Sequence, residues 1–423
     1  MKDLKNTKLK IFVSAYACEP GLGSEIGVGW HWVLEMSKYF ELWVLTRKCN
    51  RHTIEPWIKE HPVYGSIHFL YYDWPKWARF WKKGLRGVRT YYNIWQVCAN
   101  GMVKRTMREN NIKIFHHLTY GNVLWKVSSY GQKQFFIWGP VGGLETIPAE
   151  YAACYGRKSR LIESLRRIVV KLLPLNISFQ TRCRRADLIL CKTDVTRQAI
   201  PANYRDKAVL FTDVAVEERQ EEKTTSKKDV SHKTIHFLTV GRLDAWRGFD
   251  LIIEAMFLAV KHNKRIKLTI VGKGMDETRL RRLIAMHQLE AYVEMTGAIS
   301  MGEYKERLSA TDCVINAALK EAAVTVSFDC LAQSKPLICI DTTGYTRYFS
   351  EEYAVVIPQD SREQTITRLS EAILRMTDST ERERLSKNAQ QVAKRFTWEK
   401  RGKEIKDIIE KKYEHKYAVD KDS

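Results

Sequence analysis

Two acids interrupt an apolar stretch of the chain, LKEAAVTVSFDCLAQSKPLICID (319–341). Glu321 stands just before the apolar run, and Asp329 lies inside it among Val326, Phe328 and Cys330. A carboxylate buried without a partner costs several kcal/mol or takes up a proton. Each acid is therefore exposed, satisfied by local backbone, or opposed by a ligand's donors. Upstream, VGRLDAWRGFD carries Arg242 and Arg247 in a loop that leads into an apolar helical pattern near Gly248. Two guanidiniums beside the free N–H groups of a helix start form a diphosphate site; two surface arginines would read the same. Beside a bound diphosphate, Asp329 is placed to accept both hydroxyls of a ribose, and Glu321 those of a sugar. A second loop, TIVGKGMDETRL, offers Gly272 and Gly274. They suit either a backbone lying close to phosphate or a tight turn with Asp276 as helix cap.

These residues fall at the ends of short apolar runs. In the first half the runs are 10–16, 41–46, 66–72, 113–119, 134–139 and 186–191; in the second they are 235–240, 267–272, 292–297, 313–317, 336–341 and 354–358. Each is followed by a helical pattern. Runs this apolar are strands covered on both faces, as in parallel sheets, and their alternation with helices gives βαβ units. A single core stops growing well short of 423 residues, so two domains are expected. The polar stretch 217–233 has no apolar period and reads as an exposed loop near their boundary. The expected division is 1–212, 213–395, and a last helix within 396–423 that crosses back to the first domain before a polar tail. Two doubly wound α/β domains place their ligand crevices at the carboxyl ends of the strands, here facing a central cleft. Glu321 then sits in the loop after the run 313–317, and Asp329 on a helix beginning near Ala323.

The residues of the second half resemble the donor domain of retaining GT-B glycosyltransferases of the group 1, or family 4, type. The matching positions are Gly241–Arg242, Gly248 and Asp250, then Ile270–Val271–Gly272–Lys273–Gly274, then Glu321 and Asp329, and Leu331–Ala332 up to Pro336. Three positions depart from the pattern. Arg247 replaces the family's lysine, Asp329 replaces a glutamate, and Ala322, Ala323 and Val324 stand where glycines are usual. The resemblance implies catalytic roles for Arg242, Arg247 and Glu321. It implies donor binding by Gly241, Gly272, Gly274, Ala322, Ala323, Val324, Thr325 and Asp329.

In the first half, SAYACEPGLGSEIGVGWHW follows the first strand, with Gly21, Gly23, Ser24 and Glu25 in its loop. The glycines miss the G-x-G-x-x-G spacing of a nucleotide fingerprint, while Ser24 suits a helix cap. This loop, FHHLTYGN and FIWGPVGG resemble a subset of the same glycosyltransferases. The likeness implies an acceptor side formed by Gly21, Gly23, Ser24, Glu25, Trp138, Gly142 and Gly143, and catalytic positions at His116 and His117. From the residues alone, each histidine is equally a core residue satisfied by backbone.

The net charge is +21, which favours an anionic partner. Two segments concentrate it. Residues 76–95 hold six Lys/Arg and no acid, interleaved with Trp77, Phe80, Trp81, Tyr91, Tyr92 and Trp95; residues 157–185 hold nine Lys/Arg and one acid. Both fit elements lying on an anionic membrane, nucleic-acid binding, or basic helices whose aromatics enter the core. No run of 18 or more apolar residues occurs, and the amino terminus shows no signal region. The nine cysteines show no zinc spacing and read as those of a reducing compartment. The one D-x-D, Asp420–Lys421–Asp422, lies in the polar tail, so no metal is expected.

The expectation is thus a retaining, metal-independent transferase with no cofactor. It would move a sugar from a nucleotide-diphosphate donor to a hydroxyl of a lipid-linked or saccharide acceptor in bacterial cell-surface polysaccharide synthesis. It would work in the cytoplasm at the inner face of the plasma membrane, with no nucleic-acid partner. The alternatives are an epimerase or phosphorylase of the same fold, and a basic binding protein with a decayed site.

Overall fold

A computed structural model describes residues 8–82, 86–128, 134–217, 234–320, 325–342 and 344–422. The apolar runs become strands of two sheets. The first contains β1 (Lys10–Ser14), β2 (Glu41–Arg47), β3 (His68–Tyr72), β4 (Ile114–His117), β5 (Phe135–Val141), β6 (Leu188–Cys191) and β7 (Ala208–Leu210). Its order is β3-β2-β1-β4-β5-β6-β7, and every pairing is parallel. The second contains β8 (Ile235–Val240), β9 (Ile266–Val271), β10 (Val293–Gly297), β11 (Cys313–Asn316), β12 (Leu337–Ile340) and β13 (Val355–Ile357). Its order, β10-β9-β8-β11-β12-β13, is also wholly parallel. In each sheet the order reverses beside the first strand, between β1 and β4 and between β8 and β11. Open doubly wound sheets bind ligands outside the strand ends at such a point.

The chain forms two compact units. One is Met1–Leu144 with Leu172–Asp213 and Trp398–Ser423; the other is Glu145–Lys171 with Val214–Thr397. The segment Glu145–Lys171 therefore groups with the second unit, not with the first as a contiguous 1–212 division has it. The cause is packing. Ile147, Tyr151 and Tyr155 are buried in the same core as Phe249, Ile252 and Leu369, and the Tyr151 hydroxyl donates to the Asp360 carbonyl at 2.6 Å.

In the first unit the core gathers Ile11, Val13, Trp30, Trp32, Ile137 and Leu190, and the closing helix adds Ile405 and Ile409. Trp398 opens that helix (Trp398–Asp422) and meets the Trp32 ring edge-on at 5.4 Å. In the second unit, the helix Phe249–His262 follows β8 and buries Leu251, Ile252, Ile253 and Met256. Among the described residues, no helix is long and apolar enough to cross a membrane.

Candidate functional site

In the second unit, β8, β9 and β11 end together, and their loops are tied by backbone bonds. Gly241 N–H donates to Val271 O at 3.0 Å, Leu243 N–H to Lys273 O at 3.0 Å, and Leu319 N–H to Trp246 O at 3.0 Å. Gly272 has φ +145°, and a Cβ there would lie 1.8 Å from the Gly241 carbonyl oxygen. Gly274 lies as tightly against Leu243 backbone. Both glycines press loop against loop, and Asp276 stands at the start of the next helix without a side-chain cap bond. Gly248 has φ +70° and caps the helix Phe249–His262; a Cβ there would meet Ala317 O at 2.0 Å. The helix start is thereby pressed against the end of β11, at the point where the strand order reverses.

Arg242 and Arg247 stand on this frame. The Arg242 side chain is 52% exposed, and its Nε is held by Asp244 at 2.6 Å. The Arg247 guanidinium lies 4.5 Å from the Trp246 ring centroid. Two fixed cations beside a helix N-terminus have the charge and donors to hold a diphosphate. Asp250 of the resemblance is not in the site. It is 2% exposed and paired with Arg279 at 3.4 Å and Arg362 at 3.3 Å, deep in the fold.

Asp329 lies on the helix Thr325–Ala332. The group facing it is Tyr304, whose hydroxyl donates to Oδ2 at 2.7 Å. Both oxygens were expected to face a ribose diol, and Tyr304 occupies one of them. Oδ1 has no hydrogen-bond partner among the described residues. Burial raises the carboxyl to about 6, against the lowering effect of the Tyr304 hydrogen bond, so it is ionised at neutral pH. Thr325 begins the described helix. Glu321, Ala322, Ala323 and Val324 lie outside the described residues.

Sequence reasoning passed over Trp246, Lys320 and Tyr304. Lys320 lies in the loop after β11 and pairs with Glu163 of the helix Arg157–Lys171. Burial and then Arg166 pull its ammonium down to about 8, against Glu163. Its Nζ lies 5.4 Å from the Trp246 ring centroid, so Trp246 carries Arg247 and Lys320 together. The signal available in the sequence was an indole between two loop cations.

In the first unit, His116 and His117 end β4, as expected, but both are 1% exposed. The His116 Nε2 bonds Gly139 O at 2.8 Å, and the His117 Nε2 bonds the Tyr92 hydroxyl at 3.1 Å. Burial lowers them to about 4 and about 3, so both rings are neutral and enclosed in this conformation. Trp138 also differs from the expectation of an open strand end. It is fully buried within β5, against Phe179 and the Arg182 guanidinium. Ser24 is not the cap of its helix. Gly23 holds that position without a side-chain bond, and Ser24 is the first helical residue.

Glu25 accepts from Tyr120 N–H at 2.6 Å, and burial raises its carboxyl while Lys192 opposes the rise. Lys192, after β6, pairs with Asp213. Gly142 bonds Gly121, and Gly143 lies against Asn122. Gly21 is exposed, with nothing within 4 Å of a Cβ. Among the described residues, no three His, Cys, Asp or Glu converge to hold a metal ion.

Residues 220–392 match the family model described as glycosyl transferases group 1. The alpha-D-kanosaminyltransferase of Streptomyces kanamyceticus is 26% identical over 154 residues, which are 36% of this chain and 39% of that enzyme. The chain thus matches its curated relatives over about two fifths of their length or less. A glycosyltransferase structure from Rickettsia africae superposes with a TM-score of 0.61 at 15% identity, covering 96% of this chain and 99% of that one. HepE of Anabaena, solved with UDP, gives 0.59 at 12% identity, covering 95% and 100%. The architecture, two α/β units each built on a parallel sheet, is that of GT-B glycosyltransferases.

Proposed function

We propose that this chain is a glycosyltransferase that moves a sugar from a nucleotide-diphosphate donor to a hydroxyl of a lipid-linked or saccharide acceptor, with retention and without a metal. The observation that carries this reading is the position of Arg242 and Arg247 in the loop after β8, which interlocks with the loop after β9 and leads into the helix Phe249–His262. The family match over residues 220–392 supports it. As the bond to the sugar breaks, negative charge grows on the leaving diphosphate. Fixed guanidiniums and helix N–H groups stabilise that charge without having to reorganise. Asp329 Oδ1 accepts a ribose hydroxyl. The acceptor lies on the side of Glu25 and Gly21, and the work is done at the cytoplasmic face of a bacterial membrane in surface polysaccharide synthesis.

A ligand that binds only the native state raises its apparent stability, by about 2.7 kcal/mol at a concentration one hundred times its Kd. A panel of nucleotide sugars scored by thermal shift is expected to single out one donor. With that donor, Arg242→Ala and Arg247→Ala each lower turnover by about 100- to 1000-fold, the loss of one oxyanion donor. Turnover within about twofold of wild type in both variants overturns the assignment. Turnover in excess EDTA is expected to persist; its complete loss, restored by Mg²⁺, overturns metal independence.

A further inference from the structure

The helix Arg157–Lys171 is turned outward in polarity. Leu161, Ile162, Leu165, Ile168 and Val169 recur at helical spacing on one face, and they are 62%, 44%, 53%, 54% and 44% exposed. Its one acid, Glu163, points inward, is 5% exposed, and pairs with Lys320. Arg166 also faces the unit and donates to Glu145 O at 3.0 Å. A helix on a water-soluble domain buries its apolar stripe and exposes its charges; this one is held by polar contacts and offers its apolar stripe to solvent. A contiguous exposed stripe of this kind marks an interaction surface.

Charge selects the partner. Arg157, Lys158 and Lys171 are exposed at the two ends of the helix. The helix's one acid, Glu163, points inward and pairs with Lys320, so the helix itself offers the apolar face flanked by its own cations. A second copy would bring the same cations against it. We infer that the helix Arg157–Lys171 lies in the interface of an anionic bilayer, its five aliphatic side chains among the acyl chains and its end cations on the headgroups. The inference deepens the reading of a membrane-bound acceptor by assigning the docking surface to the unit that carries Arg242 and Arg247. Of the other basic segment, Tyr91, Tyr92 and Trp95 are core, and Arg79 pairs with Asp73. That leaves Trp77 and Phe80 exposed there.

The test is co-sedimentation of the full chain with vesicles of phosphatidylcholine alone and of phosphatidylcholine with about 30% phosphatidylglycerol. Strong binding to the anionic vesicles is expected, falling with salt. Leu165→Asp with Ile168→Asp is expected to lower it at least tenfold at an unchanged melting temperature, because both side chains are exposed. Arg157→Ala with Lys158→Ala lowers anionic binding and leaves the weak binding to neutral vesicles as it was. Equal partition onto both vesicles, no effect of the paired aspartates, or tighter binding to RNA overturns the inference. So does a dimer without vesicles that the aspartates abolish. Thermal shift by nucleotide sugars is measured on the same samples. A chain that binds a donor but no vesicle overturns the docking surface and leaves the donor site standing; the reverse result separates the two in the other direction.

Discussion

One oxygen of Asp329 already has its partner within the second unit. Tyr304 holds Oδ2 at 2.7 Å, and burial raises the group from 3.8 to about 6. The folded state therefore binds more protons than the unfolded state between these values. Stability from this group is fully present below about 3.8 and is lost as pH rises through about 6. Two pKa units correspond to about 3 kcal/mol, so Asp329→Asn is expected to flatten the pH–stability curve between pH 4 and 6 and to leave the protein no less stable at pH 8. The same variant weakens nucleotide binding about 10- to 100-fold, since a hydrogen bond to a charged group contributes about 1.5–3 kcal/mol. Denaturant titrations at several pH values and a nucleotide titration check both halves. Unchanged binding with a large loss of stability at pH 8 makes Asp329 a structural acid. The sequence question of what faces this acid had no local answer, because Tyr304 stands 25 residues away on another helix.

At the scale of elements, the strands were legible and the loops were not. Every apolar run named from sequence is a strand, because a parallel strand covered on both faces must be apolar throughout. β7, Ala208–Leu210, is not among the runs named, although it opens the short apolar stretch 208–211 that follows a polar segment. The helix Arg157–Lys171 was readable as basic and amphipathic, but the unit it joins was not, since that depends on Tyr151 and Tyr155 finding a core built from residues far later in the chain, such as Phe249 and Leu369. His116, His117 and Trp138 looked like site residues at strand ends and are buried, because periodicity gives a residue's strand but not what covers it. Gly272 and Gly274 were legible only as glycines; that they serve loop-to-loop contact needs the fold. Gly272→Ala is expected to cost more than about 2 kcal/mol, combining left-handed backbone strain with a Cβ forced onto the Gly241 carbonyl. Gly21→Ala, at φ +74° in open space, carries only the backbone part, about 1–2 kcal/mol. Urea unfolding of the two variants decides this; equal costs mean that the loops after β8 and β9 are not in contact.

The whole molecule is two units threaded by one chain, which passes between them after residues 144, 171, 213 and 397. The last passage gives a test of their independence. The helix Trp398–Asp422 belongs to the first unit, where Ile405 and Ile409 are 1% and 0% exposed. There Arg401 donates to Thr212 O at 2.9 Å and covers Phe211, and Trp398 meets Trp32. Removing two buried isoleucines alone costs about 2–5 kcal/mol each, against the 5–15 kcal/mol that holds an ordinary domain. A chain ending at Thr397 is therefore expected to lose the first unit's melting transition, with Trp32 and Phe211 left uncovered. Arg242, Arg247, Tyr304 and Asp329 all lie in the second unit, so its transition remains and the donor nucleotide still raises it. Calorimetry of the full and shortened chains, with and without nucleotide, reads both outcomes. An unaltered first transition means that the closing helix is dispensable to its core. A second transition that survives but no longer responds to nucleotide means that donor binding draws on residues beyond those of the second unit.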